Sequence, residues 1–339
     1  MYTDQKHPRI GCISGNVAPM MTLKTILARI VYHDKWRIGV VVANAADLLD
    51  KSEDLLGEIF WIDMPVDGYI ADPFITQHEG EYYVFYEKFT YWTATGEIAY
   101  SKLEHVNGSW QASKPKTILD APFHQSYPFI ITHEGEIYCI PEHSESNRTI
   151  LFKASHFPDQ WEAVGTLVEN FPLVDPTLVC HKDSWWLFGT QGGGQQDTHL
   201  YIWHAESLFG PWIPHRGNPV KQGSTDIRPA GSLFTCAGEL YRPAQIIGAR
   251  YGEGIVINKV TSLSQHEYAE QEVCRHIPSD SKICGLHHVS FSTDVMVIDG
   301  KTNAGVIEVF CKAYGVFARR IKTLFRNQEL PVSFRRNGC

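Results

Sequence analysis

Five dipeptides carry polar or ionisable side chains at a recurring place: Asp72-Pro73, Tyr127-Pro128, Asp175-Pro176, Arg228-Pro229 and His287-His288, spaced by 55, 48, 53 and 59 residues. The second position is nearly constant, whereas the first changes from carboxylate to phenol, guanidinium and imidazole. A constant Pro fits a repeated backbone feature, because its fixed φ and missing N–H suit only special places in a strand. A changing neighbour fits a site, since each copy then delivers a different group. Two carboxyl groups are a pair that general acid–base chemistry can use. Arg and His bind anions by charge-assisted hydrogen bonds. Asp before Pro also caps turns, so any single Asp here has an equally good structural reading.

The elements that position these dipeptides repeat with them. The stretch "ADPFITQHEGEYYVFYE" (71–87) aligns without a gap on "SYPFIITHEGEIYCIPE" (126–142), and "VDPTLVCHKDSWWLFGT" (174–190) keeps the Pro and the apolar positions. A fourth copy, "IRPAGSLFTCAGELYRPAQ" (227–245), has two residues inserted, and a fifth, "LHHVSFSTDVMVIDG" (286–300), is degenerate. Short runs rich in Tyr, Trp, Val and Ile between Gly- or Asp-bearing turns read as strands. Three or four strands at intervals of roughly 50 residues are the period of a propeller blade. The expected fold is all-β, a five-bladed β-propeller with blades near 60–105, 108–158, 161–212, 213–260 and 263–325, closed by the strand at 36–44. An N-terminal extension (1–35) and a basic tail (326–339) flank the propeller span of 36–325. Helical spacing is confined to a short helix within "NAADLLDKSEDLL" (44–56) and a basic C-terminal helix. Trp110, Trp161 and Trp212 follow turns and are expected to seal one blade onto the next.

In a propeller the innermost strands face the central channel, so the five dipeptides converge at one funnel. Asp72, Asp175 and Glu142 are the candidate catalytic groups. Glu87, His124, Tyr127, Arg228, Arg242, Gln245, His287 and His288 are candidate substrate contacts. Glu87 and Glu142 end their second strands at the same repeat position, where a carboxylate is costly unless paired; pairing with Arg228 or Arg242 is the structural alternative. Tyr127, Tyr91 and Trp92 offer rings to stack on a flat ligand face. His78 and His133 precede turns and are expected in solvent. No tight His or Cys motif stands out, so neither a metal nor a cofactor is expected. The run "TQGGGQQD" (190–197) lacks the Lys-Ser/Thr ending of a phosphate-binding loop.

A formal net charge of −8 excludes a protein whose whole surface grips nucleic acid. Residues 311–339 are the local exception, with seven Lys or Arg against the single Glu329. They read as a solvated helix or as a peripheral contact with an anionic membrane face. Eight scattered Cys without a CxxC pair, no charged-then-apolar leader and no apolar stretch of about 18 residues point to a cytoplasmic address.

The Asp-Pro of blade one and "VDPTL" of blade three resemble the catalytic base and the pKa-tuning Asp of the five-bladed family-43 glycosidases and related furanosidases. As a set, "ADPF", "YVFYE", "GEIAYSK", "HQSYPF", "DPTL", "WWLFGT", "GPW", "NPV", "RPAG", "LYRPAQ" and "HH" more closely resemble the N-terminal propeller domain of the plant glucosamine inositolphosphorylceramide transferases and its stand-alone bacterial relatives. The resemblance spans about 35–325. It implies a carbohydrate-active enzyme with a carbohydrate substrate, nucleotide-activated or lipid-linked. Glycosyl transfer in polysaccharide or glycolipid assembly is slightly preferred over hydrolysis, with a non-catalytic sugar-binding propeller as the alternative. The fourth blade of family-43 enzymes supplies a general-acid Glu, and Arg228 stands at that position here. Glu142 or Glu87 would then act as the acid, or Arg and His would stabilise an anionic leaving group. The plant proteins' separate glycosyltransferase domain has no counterpart in this chain.

Overall fold

The computed structural model describes residues 34–303, apart from 50–57, 66, 120, 224, 249–250 and 279–282. Five antiparallel sheets follow one another along the chain. In the first, Gly68–His78 pairs with Glu81–Thr90, which pairs with Thr95–Val106, and the short strands Ser109–Ala112 and Lys116–Leu119 lie outside it. The second runs from Ser126–His133 through Glu136–Glu142 and Arg148–His156 to Gln160–Glu169. The third begins with Leu173–His181, Ser184–Gln191 and His199–Ala205, and the fourth contains Phe234–Cys236, Glu239–Gln245, Ile255–Leu263 and Tyr268–His276.

The fifth sheet joins the two ends of the described chain. Asp34–Val42 pairs antiparallel with Val295–Asn303 along all nine residues, flanked by Phe60–Trp61 on one side and Val289–Ser292 on the other. This closure leaves the ring without a long open edge. Inner strands meet their neighbours around the channel. The Phe74 ring meets Tyr127 and Phe129 edge-on, the Tyr127 hydroxyl reaches Thr177, Gly231 bridges Val289, and the Ile75 N–H approaches Ser290.

The sheets are offset from the expected blade bounds. Residues 109–119 complete the first sheet, 160–169 the second and 268–276 the fourth, while Phe60–Trp61 belongs to the closing sheet. The reason is local: a short turn lets each outer strand pair back onto the third strand before the chain crosses to the next blade. Trp161 meets Phe85 of the first blade edge-on at 5.8 Å, and Trp110 packs on the cluster that joins blade one to the closing strand. Within 44–56 the described structure is a 3-10 turn at Asp47–Leu49. The Asn44 and Asp47 side chains bond nearby backbone N–H groups there, which competes with a regular helix. The rest of that helix and the basic C-terminal segment lie outside the described residues. Among the described residues, no helix is long and apolar enough to cross a membrane.

Candidate active site

Strand pairing breaks at the same place in three blades, between Ala71 and Phe74, Ser126 and Phe129, and Val174 and Thr177. The residue before each Pro adopts a left-handed conformation, with φ of 53° at Asp72, 46° at Tyr127 and 52° at Asp175. A bulge of this kind re-aims a side chain, and Pro loses nothing there because no ladder bond needs its N–H. Asp tolerates φ > 0 better than most residues, whereas a bulky Tyr held there costs about 1–3 kcal/mol. The repeated x-Pro signal is thus a repeated bulge at the channel mouth.

A pocket of about 180 Å³ opens there, lined by Asp72, Glu87, His124, Glu142, Asp175, Arg228 and His287 of the expected residues. Trp36, Tyr69, Ala71, Ser126 and Tyr251 complete it. Asp175 is almost fully buried and anchors the Arg228 side: Arg228 Nε donates to its Oδ2 at 2.8 Å, and Nη1 stands 3.7 Å from Asp197. Glu142 Oε2 accepts the backbone N–H of Asp175 at 3.2 Å, and Oε1 accepts from the Ser144 hydroxyl at 3.2 Å. Glu87 Oε1 lies 3.5 Å from His124 Nε2, while His124 Nδ1 accepts the Gly96 N–H at 2.9 Å. Neither Glu is paired with a guanidinium among the described residues.

These surroundings set the charges. Burial first, and the charge of Asp175 next, push Glu142 up to about 8. Burial likewise holds Glu87 well above the carboxylate range, helped by the charges of Asp72 and Glu142. Burial drives Asp72 up to about 7, with the His287 charge as the largest opposing effect. A small polar pocket therefore presents two protonated carboxyls, a carboxyl poised near neutrality and an ion-paired carboxylate. That combination suits simultaneous donation and acceptance of protons.

Four expected contacts sit elsewhere. Tyr127 is fully buried, with its hydroxyl 2.8 Å from Thr177 Oγ1 and accepting the Gly231 N–H at 2.9 Å, so its ring braces the channel and cannot stack on a ligand. Arg242 is fully buried and forks onto Glu270, Nε to Oε2 at 2.8 Å and Nη2 to Oε1 at 2.6 Å, because a buried guanidinium needs a carboxylate of its own. Gln245 lies behind Asp175, donating to Pro229 O at 3.0 Å. His288 is fully buried beside Phe74 and Tyr127, and burial lowers it to about 3. Tyr91 is buried as well.

Asp299 escaped the sequence reading, although the fifth copy ends its second strand with "VIDG". Its Oδ2 lies 2.6 Å from His287 Nδ1, and its Oδ1 accepts the backbone N–H groups of His287 and His288 at 3.1 and 3.0 Å. Burial works to raise it, but the charge and hydrogen bonds of His287 outweigh burial and hold it below the usual range. Asp72, His287 and Asp299 bring ligand-type atoms within 4.8 Å of one another. The 2.6 Å contact at His287 Nδ1 and the 3.3 Å contact of Asp72 at Nε2 make the three a charge-paired array. Trp36 and Tyr251 were missed because one comes from the closing strand and the other from a loop outside the repeat.

The structure of RS223-Beta-xylosidase matches 70% of this chain and 93% of that one, with a TM-score of 0.50 and 9% identity, a likeness of fold alone. Glucosamine inositolphosphorylceramide transferase 1 of Arabidopsis thaliana is 36% identical over 211 residues, covering 60% of this chain and 27% of the relative. Its namesake in Oryza sativa subsp. japonica is 33% identical over 210 residues, covering 60% and 28%. The chain thus matches little more than a quarter of the length of these curated relatives. The family described as "Glucosamine inositolphosphorylceramide transferase 1, N-terminal" matches residues 62–288, well over half of the 339. Propeller, x-Pro bulges and matched span agree, and the chain belongs to the family of N-terminal domains of the glucosamine inositolphosphorylceramide transferases.

Proposed function

We propose that the funnel is the active site of a carbohydrate-active enzyme working at a glycosidic bond. The observation that carries this reading is the pairing, in one pocket, of Asp72 and Glu142: two buried carboxyl groups without a guanidinium partner, one near neutrality and one held protonated. Asp72 accepts the proton of an incoming hydroxyl, and Glu142 donates one to the departing oxygen. Asp175, locked to Arg228, orients Glu142 through its backbone N–H. The pocket is smaller than the roughly 300–1,000 Å³ of drug-sized sites, which suits a single sugar unit at its base.

Glycosyl transfer is the preferred form, with a sugar or lipid-linked hydroxyl as acceptor, because the named relatives are transferases. A nucleotide-activated donor would place its phosphate toward Arg228. Hydrolysis is the second reading: a protonated Glu142 serves it as the acid for a sugar leaving group, and serves transfer from any donor whose departing oxygen also takes a proton. A screen of nucleotide-activated sugars and aryl glycosides on the wild type and on Asp72→Asn separates the two. Turnover of aryl glycosides alone would sink the transferase form. Absence of any turnover, with sugar binding that survives Asp72→Asn, would leave a sugar-binding module.

A further inference from the structure

His287 is held from both sides. Its Nδ1 lies 2.6 Å from Asp299 Oδ2, and its Nε2 lies 3.3 Å from Asp72 Oδ1. Asp299 also accepts the backbone N–H of Asp72, at 3.3 Å, so one carboxylate ties the bulge of blade one to the inner strand of blade five. The indole of Trp36, on the closing strand, covers the imidazole with ring centroids 4.0 Å apart and planes 35° apart, and Tyr251 meets the imidazole edge-on at 5.2 Å. Each of His287, Asp72 and Asp299 is more than nine-tenths buried.

We propose that His287 and Asp299 are positioning residues for Asp72: an imidazolium anchored by Asp299 keeps the Asp72 carboxylate ionised and aimed into the funnel, ready to take a proton. This rests on the reading of Asp72 as the base. The groups facing Asp72 come from every blade. Glu87 and Tyr69 stand on its own blade, Glu142 on the second and Asp175 on the third. Arg228 and Tyr251 face it from the fourth, and His287, His288 and Asp299 from the fifth. Arg228 and His287 are the cations among these groups, since burial keeps His288 neutral. Arg228 is bound to Asp175 and adds the smaller share, so His287 is the main charge that opposes protonation of Asp72. Burial would itself discharge the imidazole, and Asp299 is what outweighs it. Protons balance across the step: Asp72 gains the one that the incoming hydroxyl loses as its oxygen bonds to carbon. Glu142 loses the one that the departing oxygen gains, and both carboxyls reset by exchange with water.

The test reads the array directly. The full chain, labelled with 15N-histidine and 13Cγ-aspartate, is titrated by NMR from pH 5 to 9 as wild type and as His287→Gln, with Asp72→Asn to assign the carboxyl signal. Both nitrogens of His287 are expected to be protonated at pH 7 in the wild type, a measurement that does not depend on any variant folding. The Asp72 midpoint is expected to rise in His287→Gln by at least one pH unit, a tenfold change in proton affinity; a merely structural contact would not move it. A neutral His287 at pH 7, or an Asp72 midpoint that stays or falls, overturns the proposal. With a turned-over donor, the acidic limb of kcat/KM moves up by the same amount. A shifted carboxyl with no turnover on any donor retains the array and overturns Asp72 as a catalytic base.

Discussion

Arg228 Nε stands 2.8 Å from Asp175 Oδ2, so the one guanidinium among the described pocket residues is committed to one of four carboxyl groups. The relationship divides the pocket into an ion-paired side and a side where burial outweighs the more distant charge of Arg228 and raises Glu142 and Asp72. Arg228→Leu leaves Asp175 buried without its partner, and such a loss typically costs about 3–5 kcal/mol. Urea unfolding is expected to show that loss, with a good part recovered on adding Asp175→Asn. A loss below about 1 kcal/mol would mean that Asp175 does not depend on Arg228 for its charge.

Glu142 has its folded pKa raised to about 8, above the unfolded value near 4.5. The folded state therefore binds the proton more tightly. The resulting stability is complete below the unfolded value and is lost as pH rises through the folded one, at up to about 1.4 kcal/mol per pH unit. Glu142→Gln removes this dependence, while its amide oxygen can still accept the Asp175 N–H. The Tm of the variant relative to wild type is expected to be more favourable at pH 8 than at pH 5. An equal difference at both pH values would show that Glu142 titrates normally.

Arg242 illustrates a functional-looking residue with a structural role. Its bidentate pair with Glu270 is buried, and Glu270 is also reached by Lys221 at 2.7 Å. Arg242→Met is expected to cost about 3–5 kcal/mol, because Lys221 is then the remaining cation for a buried carboxylate that Arg242 held by two hydrogen bonds. At a temperature where the variant stays folded, calorimetry is expected to find sugar affinity within twofold of wild type. A tenfold loss in the folded variant would return Arg242 to the site.

Gly96 keeps Glu87 in place. A Cβ at Gly96 would stand 2.5 Å from both Glu87 Oε1 and the Gln125 carbonyl oxygen, closer than side-chain carbons approach. Gly96→Ala is expected to displace Glu87, lower stability by about 1–3 kcal/mol and weaken binding of a sugar found in the donor screen at least tenfold. Unchanged affinity would place Glu87 outside the ligand contacts.

Much of the site was legible because the repeat exposes it. A bulge recurring in three blades leaves a constant Pro, and the residue before it is released from structural duty to differ from copy to copy, as Asp72, Tyr127 and Asp175 do. Glu87 and Glu142 were visible as charges at the ends of otherwise apolar strands, and both line the pocket. The same logic failed for Tyr127, because equal backbone places do not ensure equal side-chain directions: a phenol long enough to reach Thr177 and Gly231 leaves the mouth and braces the channel. It failed for Arg242 because position in a strand does not reveal where a guanidinium finds its carboxylate.

The sequence by itself determined the periodic strands, the all-β class and the ring of x-Pro positions, since these depend on local backbone preferences and on a period that any copy can be matched against. Only the tertiary structure decided which charges meet. Asp72 and Asp299 are separated by 227 residues yet share His287, and Trp36 reaches that imidazole from the strand that closes the ring. Burial and pairing set the protonation of these groups, and both are properties of the closed propeller that no single repeat contains.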